Sequence, residues 1–245
     1  MKKILGGNCI ETRSKIHLGK TTLHNNHFNL FLIKLKKNQS YMINDNNLIL
    51  LNLSNNSNKL YINNHRFNEN NYLISINNKI LVKSLSNDST LLVAGSKKKS
   101  KKKYLEINKI SNAKKVTKPW GSEIWFLNKN INIAFKKICI NKGYKTSLQY
   151  HRFKKEVNFL YSGNMNLFYK KKNLPNKLIK NYNLNSIKLK KFSSVYVKPY
   201  VVHRIHALNK IVLYEASTNQ LNDVIRIQDD TRRPNGLISN EHKKK

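Results

Sequence analysis

Short apolar runs separated by clusters of Asn, Gly, Ser and Lys recur along the whole chain and limit its fold more than any other feature. No long stretch repeats its apolar residues with the 3.6-residue period of a helix, whereas short runs at this spacing are typical of antiparallel sandwiches and barrels. The sequence therefore predicts an all-β protein. The predicted strands are 28–35, 48–53, 59–62, 72–76, 80–82 and 90–94 in the first half, and 131–140, 146–150, 157–161, 164–169, 186–189, 194–197 and 211–215 in the second.

A lysine-rich run at residues 95–103 (GSKKKSKKK) interrupts this pattern. Its like charges repel one another and it offers no apolar side chain for burial, so we interpret it as a linker or exposed loop and not as a nucleic-acid-binding tail. Strand-like runs lie on both sides of it, which predicts two β units. The predicted division is a β domain without a metal site at 1–95, a basic linker at 96–115, a metal-binding domain at 116–239 and a basic tail at 240–245.

The chain carries a formal net charge of +35, which suits either a polyanionic partner or a solvated surface. Its lysines are scattered through the strand-like runs, Asn and Ile are abundant beside them, and no pattern of a known nucleic-acid-binding motif occurs. We therefore interpret the charge as compositional drift and expect no specific nucleic-acid partner. A phosphorylated substrate would still be drawn to such a surface.

Cysteine usage and hydropathy indicate the compartment. Cys9 and Cys139 lie far apart and form neither a disulfide framework nor a zinc-finger spacing, so a reducing compartment is expected. The amino terminus lacks the apolar run that a signal peptide requires, and the apolar stretches are too short to span a bilayer. These features predict a soluble, cytoplasmic protein with no membrane partner.

Four residues of ligand type stand out in the second half: Gln149, His151, Glu156 and His203. Side chains alternate along a strand, so Gln149 and His151 project from the same face. Glu156 has the opposite parity and can join them only after a bend through 152–155. His203 follows a proline-containing segment, which gives it a rigid approach. An amide oxygen, two imidazoles and a carboxylate form a mixed nitrogen and oxygen set suited to zinc, iron, manganese or nickel.

The spacing around these residues resembles the first motif of the cupin superfamily. That motif is a glycine, five residues, His-x-His, three or four residues, a glutamate, six residues and a second glycine. Gly143, Gln149-x-His151, Glu156 and Gly163 fit every interval of it. Gln149 replaces the first histidine, and the segment SLQYH is similar to the Ser-Leu-Gln-x-His signature of mannose-6-phosphate isomerases.

Further blocks carry the same resemblance. Residues 118–125 (KPWGSEIW) resemble the Pro-Trp-Gly opening of these barrels, and residues 215–218 and 223–233 resemble their closing block. The blocks keep the family order from Lys118 to Arg233. They imply a cupin barrel, that is a jelly roll or double-stranded β-helix, in a bicupin whose first barrel is degenerate.

The resemblance assigns Gln149, His151, Glu156 and His203 as ligands of a divalent transition metal. Zinc is the first expectation, and manganese, iron and nickel are alternatives. A metal that only stabilises the barrel uses the same ligand types, so that alternative is open as well.

The resemblance also implies a sugar-phosphate isomerase that interconverts aldose and ketose phosphates. Lys136 matches a lysine of the isomerase barrel strand and would carry the proton as general base. Arg226 matches an arginine of the closing block and would hold the phosphate through its bidentate guanidinium. Lys136 could instead be a surface charge, and Arg226 could pair with Asp223 or Asp229. The partner would be a small sugar phosphate or an activated sugar, and a homodimer fits the analogy with other cupins.

Other interpretations of the fold are open. Phe153 stands where longer relatives often have a further histidine, and residues 200–202 (YVV) fill the place of a glycine in the second cupin motif. The chain could therefore be another cupin enzyme, such as a sugar-nucleotide epimerase or an iron-dependent oxygenase, or a non-enzymatic sugar-binding protein with a structural metal. We interpret Trp120 and Trp125 as core and barrel-mouth packing and not as platforms for a sugar ring.

Overall fold

The computed structural model describes residues 2–5, 10–13, 23–24, 29–54, 59–86, 89–96, 100–127, 131–172, 179 and 183–242. Cys9, the lysines at 97–99 and the tail at 243–245 lie outside these residues. Within the described part, strands dominate, with one 3₁₀ turn at Ile110–Asn112 and one short helix, α1, at Ser239–His242. No helix in this part has the length and apolar character needed to cross a membrane. The predicted all-β class is confirmed.

The strands are numbered along the chain. The first twelve are β1 (Lys2–Leu5), β2 (Ile10–Arg13), β3 (Leu23–His24), β4 (Asn29–Leu35), β5 (Ser40–Ile43), β6 (Asn47–Asn52), β7 (Leu60–Ile62), β8 (His65–Arg66), β9 (Asn71–Ile76), β10 (Ile80–Ser84), β11 (Ser89–Ser96) and β12 (Tyr104–Lys109). The remaining strands are β13 (Lys114–Lys118), β14 (Gly121–Phe126), β15 (Ile133–Ile140), β16 (Leu148–Tyr150), β17 (Glu156–Ser162), β18 (Asn164–Lys171), β19 (Asn185–Lys190), β20 (Ser194–Val197), β21 (Val201–Ala207), β22 (Ile211–Thr218) and β23 (Ile225–Gln228).

The predicted strands correspond to observed strands whose ends differ by a few residues, but several strands were missed. β21 is one of them, because histidine and arginine interrupt its apolar residues, although most of its side chains are buried on both faces. β14 is another, because its glycine and glutamate break the alternation. Both strands lie in the sheets that surround the candidate site. Their polar residues break the apolar pattern by which a strand is recognised in a sequence.

The described strands belong to two compact units. The amino-terminal unit comprises Ile16–Lys114 and Phe126–Phe135. The carboxy-terminal unit comprises Met1–Lys15, Lys115–Trp125 and Lys136–Lys245. Each unit has its own sheets and its own apolar core.

These ranges differ from the predicted division for two reasons. β2 pairs with β20 of the carboxy-terminal unit, so the first strands do not belong to the amino-terminal unit. β12 lies in the stretch 96–115 that the sequence assigned to a linker, and it pairs along its whole length with β9. A strand at a sheet edge tolerates charged flanks, so the neighbouring lysine run concealed it.

In the amino-terminal unit, a six-stranded sheet has the order β12-β9-β6-β11-β4-β3, and a four-stranded sheet has the order β5-β10-β7-β8. Their inner faces share a core in which Phe31, Leu50, Phe67, Leu73 and Val93 are buried. Burial of each such side chain contributes about 1.5–3 kcal/mol. This unit therefore has a core sufficient for a β fold of its own.

In the carboxy-terminal unit, an eight-stranded sheet has the order β1-β2-β20-β17-β22-β15-β14-β13, and a five-stranded sheet has the order β19-β18-β21-β16-β23. Leu160 and Leu213 from the larger sheet pack in one core with Leu167 and Ile205 from the smaller sheet. The two sheets thus face each other across an apolar interior, as in a jelly roll. β16, β17 and β21 carry the predicted ligands or adjoin them.

The two glycines that bound the sequence motif both have positive φ, 81° at Gly143 and 84° at Gly163. Gly163 lies between β17 and β18, and a Cβ there would lie 2.6 Å from the carbonyl oxygen of Lys210. A Cβ on Gly143 would meet no atom within 4 Å. Conformation alone therefore favours glycine at 143, whereas both conformation and space require it at 163.

Alanine substitutions should separate these two effects. We expect Gly143→Ala to lower the free energy of unfolding by about 1 kcal/mol, the cost of a left-handed conformation. Gly163→Ala should cost roughly 3 kcal/mol, because the backbone must also move away from Lys210. Urea unfolding followed by tryptophan fluorescence measures both, since Trp120 and Trp125 lie in this unit. Equal losses would contradict the steric explanation.

Candidate metal centre

Strand pairing in the carboxy-terminal unit brings the predicted ligands together. β16 pairs with β21 so that Gln149 lies opposite His203, and it pairs with β23 so that Gln149 lies opposite Arg226. After β16 the chain turns and re-enters a sheet at Glu156, the first residue of β17. His151 lies at the start of that turn and is buried, as are Glu156 and His203.

The side chains of His151, Glu156 and His203 meet in the interior, where ligand-type atoms of all three lie within 4.8 Å of one another. Nε2 of His151 is 3.4 Å from Oε2 of Glu156, and Nε2 of His203 is 3.3 Å from Oε1 of the same carboxylate. Adjacent ligands of an ion with bonds of about 2.0–2.1 Å lie roughly 3.0–3.4 Å apart. The spacing therefore suits one transition-metal ion bound by the three residues.

The hydrogen bonds of the two Nδ1 atoms orient the imidazole rings so that each Nε2 faces the carboxylate of Glu156. Nδ1 of His151 hydrogen-bonds to the backbone carbonyl of Asp223, and Nδ1 of His203 lies 3.0 Å from the backbone carbonyl of Val201. A carbonyl oxygen only accepts, so these contacts place a proton on each Nδ1, and in the neutral imidazole a lone pair is left on Nε2. Proteins orient the imidazole ligands of metals through such contacts.

Two lone pairs that face a carboxylate repel it unless a cation lies among them. Nε2 of His151 is buried and has no hydrogen-bond partner among the described residues. Burial lowers the pKa of His151, as does the charge of Lys154, so its buried position disfavours a proton on Nε2. An unpaired buried acceptor of this kind costs about 1–3 kcal/mol. His151, Glu156 and His203 therefore fit a metal ion.

Glu156 and His203 line a cavity with a volume of about 100 Å³. Gln149, the predicted fourth ligand, lines this cavity as well. Its Oε1 accepts a hydrogen bond from the hydroxyl of Ser147 at 2.6 Å. This contact fixes the orientation of the amide and occupies one lone pair of its oxygen. The structure thus places Gln149 at the site, and its role as a ligand stays a prediction.

Lys136 also lines the cavity, and it is buried. Its Nζ lies 3.1 Å from Oε1 of Glu215 and 4.2 Å from the ring centroid of Trp125. The alternative of an exposed surface charge therefore does not apply to it. Trp120 and Trp125 are both buried beside the cavity, as expected for packing residues.

Arg226 lines the cavity from β23. Its Nη1 donates to the backbone carbonyls of Pro234 and Gly236, and its Nε lies 3.9 Å from Oδ2 of Asp229. Of the two carboxylates that the sequence offered as partners, Asp229 is the one in reach. The Nε atom is buried and has no hydrogen-bond partner among the described residues.

Lys154 and Glu215 belong to the candidate site, and the sequence did not reveal a role for either of them. Nζ of Lys154 lies 2.5 Å from Oε2 of Glu156 and 2.8 Å from Oε1 of Glu215. Burial alone would raise the pKa of the Glu156 carboxyl, but the ammonium of Lys154 lowers it well below its usual value. Burial alone would lower the pKa of Lys154, but the two glutamates raise it. Both groups are therefore charged in the interior.

Asp223 is a third residue whose role the sequence did not reveal. Its carboxylate accepts hydrogen bonds from the backbone N–H groups of Arg152 at 3.0 Å, Phe153 at 2.6 Å and Lys154 at 2.8 Å. These bonds lower the pKa of the Asp223 carboxyl, although burial acts in the opposite direction. Because its carbonyl also holds His151, Asp223 fixes the turn that sets His151 against Glu156.

A scan against protein-family models found no match, and a search of curated proteins found none either. Solved structures do match. The Ylba protein of E. coli has a TM-score of 0.63 at 14% identity, over 89% of this chain and 94% of that one. The oxalate decarboxylase of Lactobacillus farciminis, in a formate complex, has a TM-score of 0.63 at 10% identity, over 91% and 90%. A glyoxylate-induced protein of Pseudomonas aeruginosa has a TM-score of 0.64 at 8% identity, over 88% and 91%.

These matching structures are cupin-fold proteins, and each alignment covers most of both chains. The fold of this chain is therefore the cupin jelly roll that its sequence predicted, and its two β units agree with a bicupin. At this level of identity the similarity defines the fold and leaves the activity to be argued from the site.

Asp223 should matter to metal binding through the turn that it holds. We expect Asp223→Asn to weaken zinc binding about 10–100-fold, because an amide cannot accept three backbone N–H groups and the imidazole of His151 loses its fixed orientation. Competition with a chromophoric chelator measures the change. Asp230→Asn is the matched control, since Asp230 pairs with Arg204 and its side chain is 54% exposed. Equal affinities in the two variants would contradict the role of Asp223.

Proposed function

We propose that this protein is a metal-dependent sugar-phosphate isomerase that interconverts aldose and ketose phosphates. The observation that carries the proposal is one cavity lined by Glu156, His203, Lys136 and Arg226. Nε2 of His151 lies 3.4 Å from the carboxylate of Glu156 at this cavity. Aldose–ketose interconversion moves a proton between adjacent carbons while negative charge develops on their oxygens. Metal ligands, an amine and a guanidinium at one cavity meet those requirements.

His151, Glu156 and His203 would hold the ion, with Gln149 as the proposed fourth ligand. A bound divalent ion supplies Lewis acidity towards the carbonyl and hydroxyl oxygens of the sugar. The nitrogen and oxygen donors suit zinc. Manganese is the main alternative, because a matching structure, the oxalate decarboxylase of Bacillus subtilis, is described with Mn(II) centres.

Lys136 is proposed to carry the proton. Its Nζ reaches the cavity from β15, and the ion pair with Glu215 at 3.1 Å holds the amine in place. The ring of Trp125, 4.2 Å away, limits the other side of the amine. A group held in one position within reach of the substrate is what general acid–base catalysis requires.

Arg226 is proposed to bind the phosphate. Its Nη1 is committed to two backbone carbonyls, whereas its buried Nε is not hydrogen-bonded within the described part of the chain. A guanidinium fixed in this way presents its remaining donors in a plane that matches a phosphate. The pairing of Gln149 with Arg226 across β16 and β23 sets this cation beside the ligand set.

A second candidate is a metal-dependent cupin enzyme that acts on a small carboxylic acid. The similarity to oxalate decarboxylases favours it, because their structures align with 91% of this chain. The two candidates differ in their products: decarboxylation releases carbon dioxide, whereas isomerisation only moves hydrogen within the substrate. An iron-dependent oxygenase would require a redox-active metal, whereas isomerisation should proceed with zinc.

Lys136→Met tests the isomerase proposal. We expect the zinc-loaded wild-type protein to convert mannose 6-phosphate or a related aldose phosphate into its ketose, with deuterium entering from D₂O. The variant should lose about 10²–10⁴-fold in rate, the usual contribution of a general base, and should keep its metal. Proton NMR measures conversion and exchange together, and Lys137→Met, a partly exposed neighbour on β15, is the control.

Two results would count against this proposal. Full activity in the Lys136→Met variant would show that another group carries the proton. A metal-loaded wild-type protein that isomerises no aldose phosphate, but releases carbon dioxide from a small carboxylic acid, would favour the second candidate.

A further inference from the structure

Lys154 is a buried cation inside the candidate site. Its side chain is 4% exposed, and it lines the same cavity as Lys136, Glu156 and Glu215. Its Nζ contacts Glu156 at 2.5 Å and Glu215 at 2.8 Å. An ammonium has three N–H donors, and these contacts with the described residues use two of them.

Glu156 is shared between Lys154 and the candidate metal ligands. Its Oε2 lies 2.5 Å from Nζ of Lys154 and 3.4 Å from Nε2 of His151. When Glu156 serves as a metal ligand, it no longer offers Lys154 a full negative charge. Lys154 then depends on Glu215 for its neutralisation.

Glu215 is shared as well. The same atom, Oε1, contacts Nζ of Lys154 at 2.8 Å and Nζ of Lys136 at 3.1 Å. When Glu156 binds a metal ion, the two lysines therefore share a single carboxylate oxygen of Glu215 as their ion-pair partner. The cavity then holds an excess of positive charge, and Lys154 keeps N–H donors without a partner, which is costly in a buried position.

We propose that Lys154 is an oxyanion-binding residue, whose ammonium donates a hydrogen bond to a negatively charged oxygen of a ligand bound at the metal centre. The ligand class is a small oxyanion, a carboxylate or a phosphate. In the proposed isomerase this oxygen is the one that gains charge between the two reacting carbons, and a fixed ammonium stabilises that charge. The inference thus rests on the proposed metal site, and it adds a specificity-determining residue.

The position of Lys154 distinguishes this role from that of Lys136. Lys154 lies on the turn between His151 and Glu156, and its backbone N–H is fixed by the carboxylate of Asp223 at 2.8 Å. Its ammonium is therefore held next to the ligand carboxylate from the same stretch of chain.

The test compares metal binding and anion binding in Lys154→Met. Zinc affinity is measured with a chromophoric chelator, and inorganic phosphate and oxalate are titrated into the zinc-loaded protein by calorimetry. We expect the variant to keep its zinc affinity or to bind more tightly, since a positive charge near the ion is removed. Its dissociation constant for the preferred anion should rise at least about 10-fold, as for the loss of a hydrogen bond to a charged group. Lys155→Met, a partly exposed neighbour, should leave both constants unchanged.

Each outcome either supports or overturns the proposed role of Lys154. Unchanged anion affinity in a zinc-loaded Lys154→Met variant overturns the inference, and so does loss of zinc, which would make Lys154 a support for Glu156. Tighter binding of phosphate than of oxalate, lost in the variant, identifies a phosphate site, and the reverse identifies a carboxylate site. A wild-type protein that binds zinc and anions through Lys154 but isomerises no sugar retains the inference and rejects the isomerase. A wild-type protein that binds no zinc rejects both.

Removal of one partner from a buried ion pair is strongly destabilising, and a second comparison covers the case in which Lys154→Met does not fold. In that case the double variant Lys154→Met with Glu215→Gln removes both charges together. It is compared with Glu215→Gln alone under the same titrations. A 10-fold weaker anion affinity in the double variant supports the inference by the same criterion, and equal affinities overturn it.

Discussion

The candidate site depends on one contact, in which the imidazoles of His151 and His203 aim Nε2 lone pairs at the carboxylate of Glu156. Each ring is oriented from behind by a backbone carbonyl, of Asp223 in one case and of Val201 in the other. A carboxylate and two lone pairs repel one another at 3.3–3.4 Å, and a cation bound among them would relieve that repulsion. The rest of the site can be understood as support for that contact.

That support comes from the two facing sheets of the carboxy-terminal unit. The pairing of β16 with β21 and β23 sets Gln149 between His203 and Arg226, and β17 begins at Glu156. The carboxylate of Asp223 accepts three backbone N–H groups of the turn before β17 and so helps to fix that turn. A segment that follows β22 in sequence thus positions a ligand that lies some seventy residues earlier. The geometry of the candidate metal site therefore depends in part on the segment that follows β22.

Much of this was predictable from the sequence, and the remainder was not for a physical reason. The intervals around His151 and Glu156 reflect strand alternation and a tight turn, which act over a few residues. They also carry the resemblance to the cupin motif, and that resemblance implied the cupin fold. Lys154 and Glu215 escaped notice because their meeting depends on the register of β17 against β22, where Asn158 lies opposite Glu215. Register across two distant strands is set by packing of the whole barrel and leaves little trace in local sequence. β12 was missed for a similar reason, since its pairing with β9 is the main sign of a strand there.

The most direct test of the account is the metal content of the purified protein, measured by elemental analysis for the wild type, His151→Ala and His203→Ala. His206→Ala is the control, because His206 lies on β21 with His203 but is partly exposed and outside the ligand group. We expect about one equivalent of a transition metal per chain in the wild type and the control, and loss of the metal in His151→Ala and His203→Ala. A wild-type protein without metal even after reconstitution, or metal retained in both His151→Ala and His203→Ala, would contradict it.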